Sequence, residues 1–379
     1  MQTNPFPLKG YVSKDLFCDR ESELNQLFIN QQNGVDTTLI SPRRMGKTGL
    51  IHRLFDYIDQ ESKGKKPILI FVDIFPSRNL EDFIKLLAEA ILTQIPVQST
   101  IGERFMHFIK SLRPTFTYDP LTGQPQLQLF YQSEADKAHT LLSLFSFLDQ
   151  QGKNVLLAVD EFQQINNYPE QQTEALLRTH IQSLKHTHFI FSGSKRSLMV
   201  DLFSNAKRPF YASTQFLELA PIPTATYEVF IKNNFMRYQR TINEEALRAI
   251  MTWSKGYTYY TQCLCNALFA SGATIIDINQ VNKASNDLLA RQEPVFLQYR
   301  SLLTSAQWNY LIAVAKEQVV RQITSQTFLR THGIGTPANS TRLAKSLLEK
   351  DLLLETITKE GKSIQVYDVF FSRWLEQTY

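Results

Sequence analysis

Apolar residues are spaced with two different periods along this chain. Four short, almost unbroken apolar runs stand out: "VDTTLI" (35–40), "PILIFVDIF" (67–75), "NVLLAVDEF" (154–162) and "HFIFSGS" (188–194). Runs of this length, rich in Val, Ile and Phe, predict strands buried on both faces. Between them the period lengthens. Leu50, Leu54, Tyr57 and Ile58 recur at helical spacing in "KTGLIHRLFDYIDQ", as do Leu80, Phe83, Leu87 and Ile91 in "LEDFIKLLAEAILTQI". Further helices are predicted at "KAHTLLSLFSFLDQQG" and "EQQTEALLRTHIQSLK". Strand and helix alternate, so the expected fold class is α/β, a parallel sheet covered by helices on both faces. One stretch departs from this order. Residues 113–136 alternate apolar and polar positions around the turn formers "DPLTGQP", which predicts a β-hairpin inserted in the sheet domain.

The texture changes at "LAPIPTA", near Pro221–Pro223. Beyond it "TYEVFIKNNFMRYQ", "NEEALRAIMTWSKG" and "YYTQCLCNALFASG" read as helices without intervening strands, a small all-helical unit. The last ~80 residues have a third character. Helices at "SAQWNYLIAVAKE", "SQTFLRTHG" and "NSTRLAKSLLEK" precede the strands "DLLLETI" and "SIQVYDVFF", the pattern of a winged helix. Three domains are therefore expected, at 1–222, 223–295 and 296–379.

Composition narrows the class without choosing a partner. The 379 residues are 43% apolar and 12% aromatic, enough to bury cores in two or three domains. A net charge of +4 is too slight to argue for a nucleic-acid or membrane surface without local clustering. Cys18, Cys263 and Cys265 form neither a C-x-x-C pair nor an even set, so no disulfide framework or zinc ribbon is indicated and a reducing compartment fits. The N-terminal stretch lacks a basic-then-apolar signal region, and no apolar run approaches the ~18 residues of a membrane span. A cytoplasmic protein is expected, with no membrane partner.

The candidate chemistry lies in "SPRRMGKTGL", residues 41–50, between the first strand and its helix. A phosphate-binding loop follows G-x-x-x-x-G-K-[ST]. Here Ser41 replaces the first glycine, Pro42, Arg43, Arg44 and Met45 fill the variable positions, and Gly46, Lys47 and Thr48 match, with Gly49 following. Such a loop converges backbone N–H groups on phosphate oxygens at a helix N-terminus. Gly46 permits close backbone approach, Lys47 reaches the β and γ phosphates, and the Thr48 hydroxyl is suited to coordinate Mg²⁺. Serine at position 41 costs affinity only if φ there is positive, so weakened or unchanged binding is expected. About 110 residues later "LLAVDEF" ends an apolar strand in Asp160 and Glu161, expected beside the loop. Asp160 is placed to hold Mg²⁺ and Glu161 to orient and polarise the attacking water. The same two acids also suit the cap of a following helix.

At this point the sequence resembles the STAND-type, AAA+-like ATPases of archaea and Bacteroides-like bacteria. The resemblance runs through "LFCDRESEL", "SPRRMGKTGL", "VDEFQQI", "LLRTHIQ", "FIFSGSKRSLM", "KRPFY", "YEVFI", "GYTYYTQ" and "YDVFFSRWL", nearly the whole chain. It implies a P-loop core, a helical lid and a C-terminal winged helix. It further implies an ATP/ADP and Mg²⁺ site driving a slow molecular switch, with a protein partner or self-association. By the same resemblance Phe17, Cys18 and Arg20 are candidate adenine contacts, though an ordinary capped helix entrance is the alternative. Ser192 resembles the polar sensor of the γ-phosphate, or else is a strand-end serine bonded to backbone. Arg178 and Arg208 are candidates for the arginine-finger role, Arg208 across a subunit boundary, with plain surface solvation as the alternative for both. Gly256 and Tyr257 resemble the lid element against the adenine, in which Thr258 stands where the family has proline.

Two other classes remain in view. A nucleotide-gated DNA-binding regulator would use Arg342, Lys345 and Lys350 on phosphates, with Ser340 and Thr341 near base edges. From Arg291 onward, however, eleven Lys and Arg face eight Asp and Glu, a surplus of three and thin for a duplex binder. A scaffold that binds nucleotide without turnover is the third reading. His186 and His188 form H-x-H with no third ligand at matching spacing, which is weak support for a metal.

Overall fold

The alternation within the apolar runs is what makes the sheet two-sided. In the strand Val155–Asp160, Val155, Leu157 and Val159 join one apolar core while Leu156 and Ala158 join another. The same division holds for Phe189 and Phe191 against Ile190. Successive side chains of a strand point to opposite faces, so an unbroken apolar run demands helices on both.

The computed structural model describes residues 3–61, 66–96, 98–111, 115–118, 125–128, 131, 133–358 and 361–379. These divide into two units, Lys9–Pro221 and Met1–Leu8 with Ile222–Tyr379. In the first, β1 (Thr37–Ile40), β2 (Ile68–Asp73), β5 (Val155–Asp160), β6 (Thr187–Gly193) and β7 (Gln215–Glu218) form one sheet of order β2-β5-β6-β1-β7. Every pairing in it is parallel. Helices α1 (Glu21–Gln32) and α2 (Lys47–Glu61) cover one face. The other is covered by α3 (Leu80–Gln94), α4 (Thr100–Ser111), α5 (Glu134–Asp149), α6 (Thr173–Gln182) and α7 (Arg196–Ser204). Asn79 caps α3 by accepting from the Asp82 amide, and Ser133 caps α5 in a capping box with Asp136, each worth about 1 kcal/mol. The expected hairpin is β3 (Thr115–Tyr118) with β4 (Pro125–Gln128), an antiparallel pair separate from the main sheet. Its turn lies outside the described residues. The predicted span also ran too far, because α5 begins at Glu134 on that cap.

The second unit holds α8 (Thr224–Met236), α9 (Glu244–Ser254), α10 (Thr258–Ala270) and α11 (Ile278–Leu302). It is not wholly helical: β8 (Thr241–Ile242) and β9 (Ile275–Ile276) pair in parallel. The 25-residue α11 runs through Pro294 and across the 295/296 boundary expected from sequence. There follow α12 (Ser305–Glu317), α13 (Gln326–Thr331), α14 (Pro337–Glu349), the antiparallel wing of β10 (Leu353–Thr358) and β11 (Gly361–Val366), and α15 (Val369–Thr378). The strand expected through "VFF" ends earlier, because Asp368 caps α15 by accepting from the Phe371 amide. Residues near the N-terminus, expected in the sheet domain, pack in this unit. Phe6 is buried with its ring 5.0 Å from Phe235, and Asn4 donates to the Asn266 carbonyl at 3.0 Å.

Candidate active site

The loop between β1 and α2 takes its turn at two left-handed residues, Arg44 at φ 70° and Gly46 at φ 90°. Ser41 is not among the positive-φ positions, so it carries none of the steric cost that would have made glycine necessary. Its amide donates to the Gly193 carbonyl at 3.3 Å and its hydroxyl to the Pro42 carbonyl at 3.1 Å. Met45 is buried beneath the loop, and the Arg43 guanidinium lies 5.5 Å from the Phe75 ring centroid. Helix α2 begins at Lys47, which places its N-terminal N–H groups at the loop. Phe17 rests against the same element: a Cβ on Gly49 would come within 3.3 Å of its ring, so glycine there admits the contact. Beside Phe17, burial pushes the Cys18 thiol up to about 12. The buried Arg20, itself left-handed at φ 75°, donates to Glu23 at 2.8 Å, and its Nη2 has no hydrogen-bond partner among the described residues.

The acid pair meets this loop, although not from the neighbouring strand. Strand β6 lies between β1 and β5, so the lysine and the acids are two strands apart, roughly 10 Å. The long Lys47 side chain spans the gap: its Nζ donates to Asp160 Oδ1 at 2.9 Å and to Glu161 Oε1 at 3.5 Å. Thr48 Oγ1 donates to Asp160 Oδ2 at 2.6 Å, and Ser192 Oγ, from the intervening strand, to Oδ1 at 2.7 Å. Ser192 is therefore bonded to a carboxylate, unlike the backbone-bonded serine weighed from sequence. Burial alone would raise the Asp160 pKa; the Lys47 charge and the Thr48 and Ser192 hydroxyls overcome that and hold it below the ordinary carboxylate range.

Neither acid serves as a side-chain cap. Glu161 occupies the N-cap position of a short 3₁₀ turn, Phe162–Asn167, but makes no side-chain cap bond. Asp160 Oδ1 accepts from the Glu161 amide at 3.0 Å. What orients the pair is Phe162, buried with its ring 4.6 Å from Phe191 and 5.5 Å from Phe210. That anchor drives the turn into the core on one side and leaves the carboxylates at the strand ends.

Three participants escaped the sequence reading. Asp73 ends β2 as the register partner of Asp160. Burial raises its pKa, with the Asp160 and Glu161 charges adding to that. Ser194 and Gln163 both donate to Glu161. The available signals were a strand-terminal acid in "FVD" and a second serine in "FSGS".

Other candidates lie elsewhere. Arg178 acts on Asp36, the residue before β1, at the opposite end of the strands from the loop; five residues at 3.3 Å put these ends roughly 16 Å apart. Arg208 is half-buried: its Nε is ion-paired to Glu174 at 3.2 Å and Asp201 at 3.4 Å, and its Nη2 bonds Asn166. In the second unit Gly256 is left-handed at φ 70°, and Tyr257 is buried, its hydroxyl accepting from Gln365 Nε2 at 3.1 Å. Thr258 opens α10 where proline was expected, a first-turn position that tolerates either residue. Among the described residues no helix is long and apolar enough to cross a membrane.

Residues 294–377 match the family model described as "Probable winged helix domain". Comparison with curated proteins returned no match. Among solved structures, a Walker-type ATPase of Pyrococcus abyssi is similar at 18% identity and TM-score 0.66, over 98% of this chain and 99% of that one. The ORC2 protein of Aeropyrum pernix, solved in ADPNP and ADP complexes, aligns at 14% identity and TM-score 0.58, over 99% and 96%. The ORC1 protein of Aeropyrum pernix, solved in complex with DNA, aligns at 13% identity and TM-score 0.51, over 96% and 94%. At such identities the likeness concerns the fold, and the fold is that of the ORC/Cdc6-like P-loop ATPases, a parallel five-stranded sheet with helices, carried together with a C-terminal winged-helix domain.

Proposed function

We propose that the chain is a STAND-type molecular switch that binds and slowly hydrolyses ATP, with the unit Lys9–Pro221 as core and the second unit supplying a helical lid and a winged helix joined through α11. One observation carries the reading: Lys47, Thr48, Ser192 and Asp160 form a single hydrogen-bonded cluster at the strand ends, with Glu161 alongside. The donor set fits a hydrated magnesium nucleotide. A hydroxyl and a carboxylate 2.6 Å apart are the hard oxygen ligands that ion prefers, and the ammonium beside them is a phosphate ligand held in reserve. Thr48 and Asp160 would hold Mg²⁺, which when bound neutralises charge on the β and γ phosphates. Lys47 turns from the acids to the phosphates, Gly46 admits them to the backbone, and Glu161 orients the attacking water. Phe17, Cys18 and Arg20 take the base side, and the unpartnered Nη2 of Arg20 is a donor available to it. Nucleotide state then sets the arrangement of core and lid, which exposes or hides a surface for a protein partner or a second copy.

MgATP binding and turnover by wild type, Lys47→Ala and Glu161→Gln test this. Lys47→Ala is expected to abolish binding and Glu161→Gln to bind ATP and retain it uncleaved. Equal turnover in all three would refute hydrolysis at this site, and binding without turnover in wild type would leave the scaffold reading.

The exposed Arg342, Lys345 and Lys350 at α14 favour a second reading, a nucleotide-gated DNA-binding regulator. Duplex binding by the full chain that weakens with salt would support it, and no retention at low salt would remove it.

A further inference from the structure

We propose that Gln163 and Ser194 are positioning residues that fix one oxygen of the Glu161 carboxylate and thereby aim the other at the attacking water. The inference rests on the hydrolytic reading above and names residues that reading does not use. The two oxygens of Glu161 have different surroundings. Oε2 accepts from Ser194 Oγ at 2.6 Å and from Gln163 Nε2 at 2.5 Å. Oε1 faces Lys47 Nζ at the longer distance of 3.5 Å. An arriving triphosphate competes for that ammonium, so Oε1 is the oxygen that becomes available while Oε2 stays tethered.

The tether is built from rigid parts. Gln163 and Ser194 are each 5% exposed and come from different segments, one from the turn anchored by Phe162 and the other from the residue that follows β6. Glu161 itself sits at φ 56°, a conformation that costs a non-glycine residue on the order of 1 kcal/mol and persists only where its surroundings enforce it. Gly193 makes the arrangement possible: a Cβ there would lie 2.5 Å from Gln163 Oε1 and 2.4 Å from Met199 Sδ. Ser192 in β6 and Ser194 at the bend just beyond it divide the acids between them. Ser192 bonds Asp160 and Ser194 bonds Glu161.

In the step this serves, a water oxygen bonds to the γ-phosphorus while the bond to the bridging oxygen breaks. ADP leaves with that electron pair, and a water proton passes to Oε1. Losing one tether leaves the reaction possible but lets the carboxylate swing, so the cost falls on kcat.

Steady-state MgATP hydrolysis by the full chain tests the proposal, using Ser194→Ala, Gln163→Ala and the conservative Ser194→Thr, with nucleotide affinity and Tm measured alongside. Each alanine variant is expected to lose about tenfold in kcat, with KM and nucleotide Kd within about twofold of wild type, and Ser194→Thr to recover most of the loss. Wild-type kcat in both alanine variants overturns it. So does a loss shared equally by kcat, affinity and Tm, which would mark a merely structural contact. A wild type that binds ATP without turning it over sinks the hydrolytic reading and this one together, an outcome distinct from the other two.

Discussion

The two ends of the parallel sheet both carry carboxylates, and they are satisfied by different kinds of donor. At the N-terminal ends, Asp36 accepts from the Phe189 amide at 2.8 Å, while Asp149 accepts from the Lys185 and His186 amides, the latter at 2.7 Å, and from Thr187 Oγ1. At the C-terminal ends, Asp160 and Glu161 are held mainly by the side chains of Lys47, Thr48, Ser192, Ser194 and Gln163. A backbone amide cannot leave its partner without disturbing the chain, whereas an ammonium or a hydroxyl needs only a rotamer change to meet a ligand. Acids of the first kind tie elements together. Those of the second kind form a site that can be rearranged.

Exchanging acid for amide at each end is the strongest way to break this comparison. Asp160→Asn is expected to lower MgATP turnover by about a thousandfold, within the range for removing a charged group from a reacting centre. Asp149→Asn should leave kcat within about twofold, and comparable losses in the two would erase the distinction. Next in size is stability. Asp149→Ala leaves the solvent-exposed Lys185 and His186 amides without their carboxylate and should cost about 1 kcal/mol in urea unfolding, with activity retained per folded molecule.

The pH response separates the two N-terminal acids from one another. Burial raises the Asp36 pKa from 3.8 to about 6, against the opposing effects of the Phe189 amide and Arg178. Between those values the folded state holds more protons than the unfolded, so this group's contribution falls as pH rises through about 4 to 6. Asp149 has the opposite sign. Burial would raise its pKa, but the His186 and Lys185 amides overcome it, so its contribution is present at neutral pH and lost as the medium becomes acidic. The Tm difference between Asp36→Asn and wild type is therefore expected to be positive at pH 7 and to shrink towards pH 4; a pH-independent difference would contradict the assignment. The smallest effect belongs to the loop. Ser41→Gly should change nucleotide Kd by less than about twofold, since position 41 does not need a left-handed residue. A tenfold tightening would show that the serine does impede phosphate.

Much of the sheet was legible because strands buried on both faces leave continuous apolar runs, as in "LLAV" and "FIF". β7 was not: "QFLE" is short and mostly exposed at the sheet edge, so it leaves no such run. The helix α11 was hidden by its polar composition and internal Pro294, and its burial rests on scattered positions such as Val281, Leu289 and Phe296. At the candidate site the same division holds. Lys47, Thr48, Asp160 and Glu161 announce themselves by spacing and by their place after strands. Asp73, Ser194 and Gln163 do not, because what recruits them is the lateral order of strands, which no local pattern encodes.

The amino-acid order alone determined that strands and helices alternate, that a basic turn precedes one helix and that two acids end a later strand, since these follow from periodicity and local turn chemistry. Only the tertiary structure decided that β6 comes between them. That placement sets Ser192 against Asp160 and Ser194 against Glu161. The physical reason is that strand order depends on how whole faces of apolar side chains pack across the layers, a sum over distant residues that local spacing does not contain.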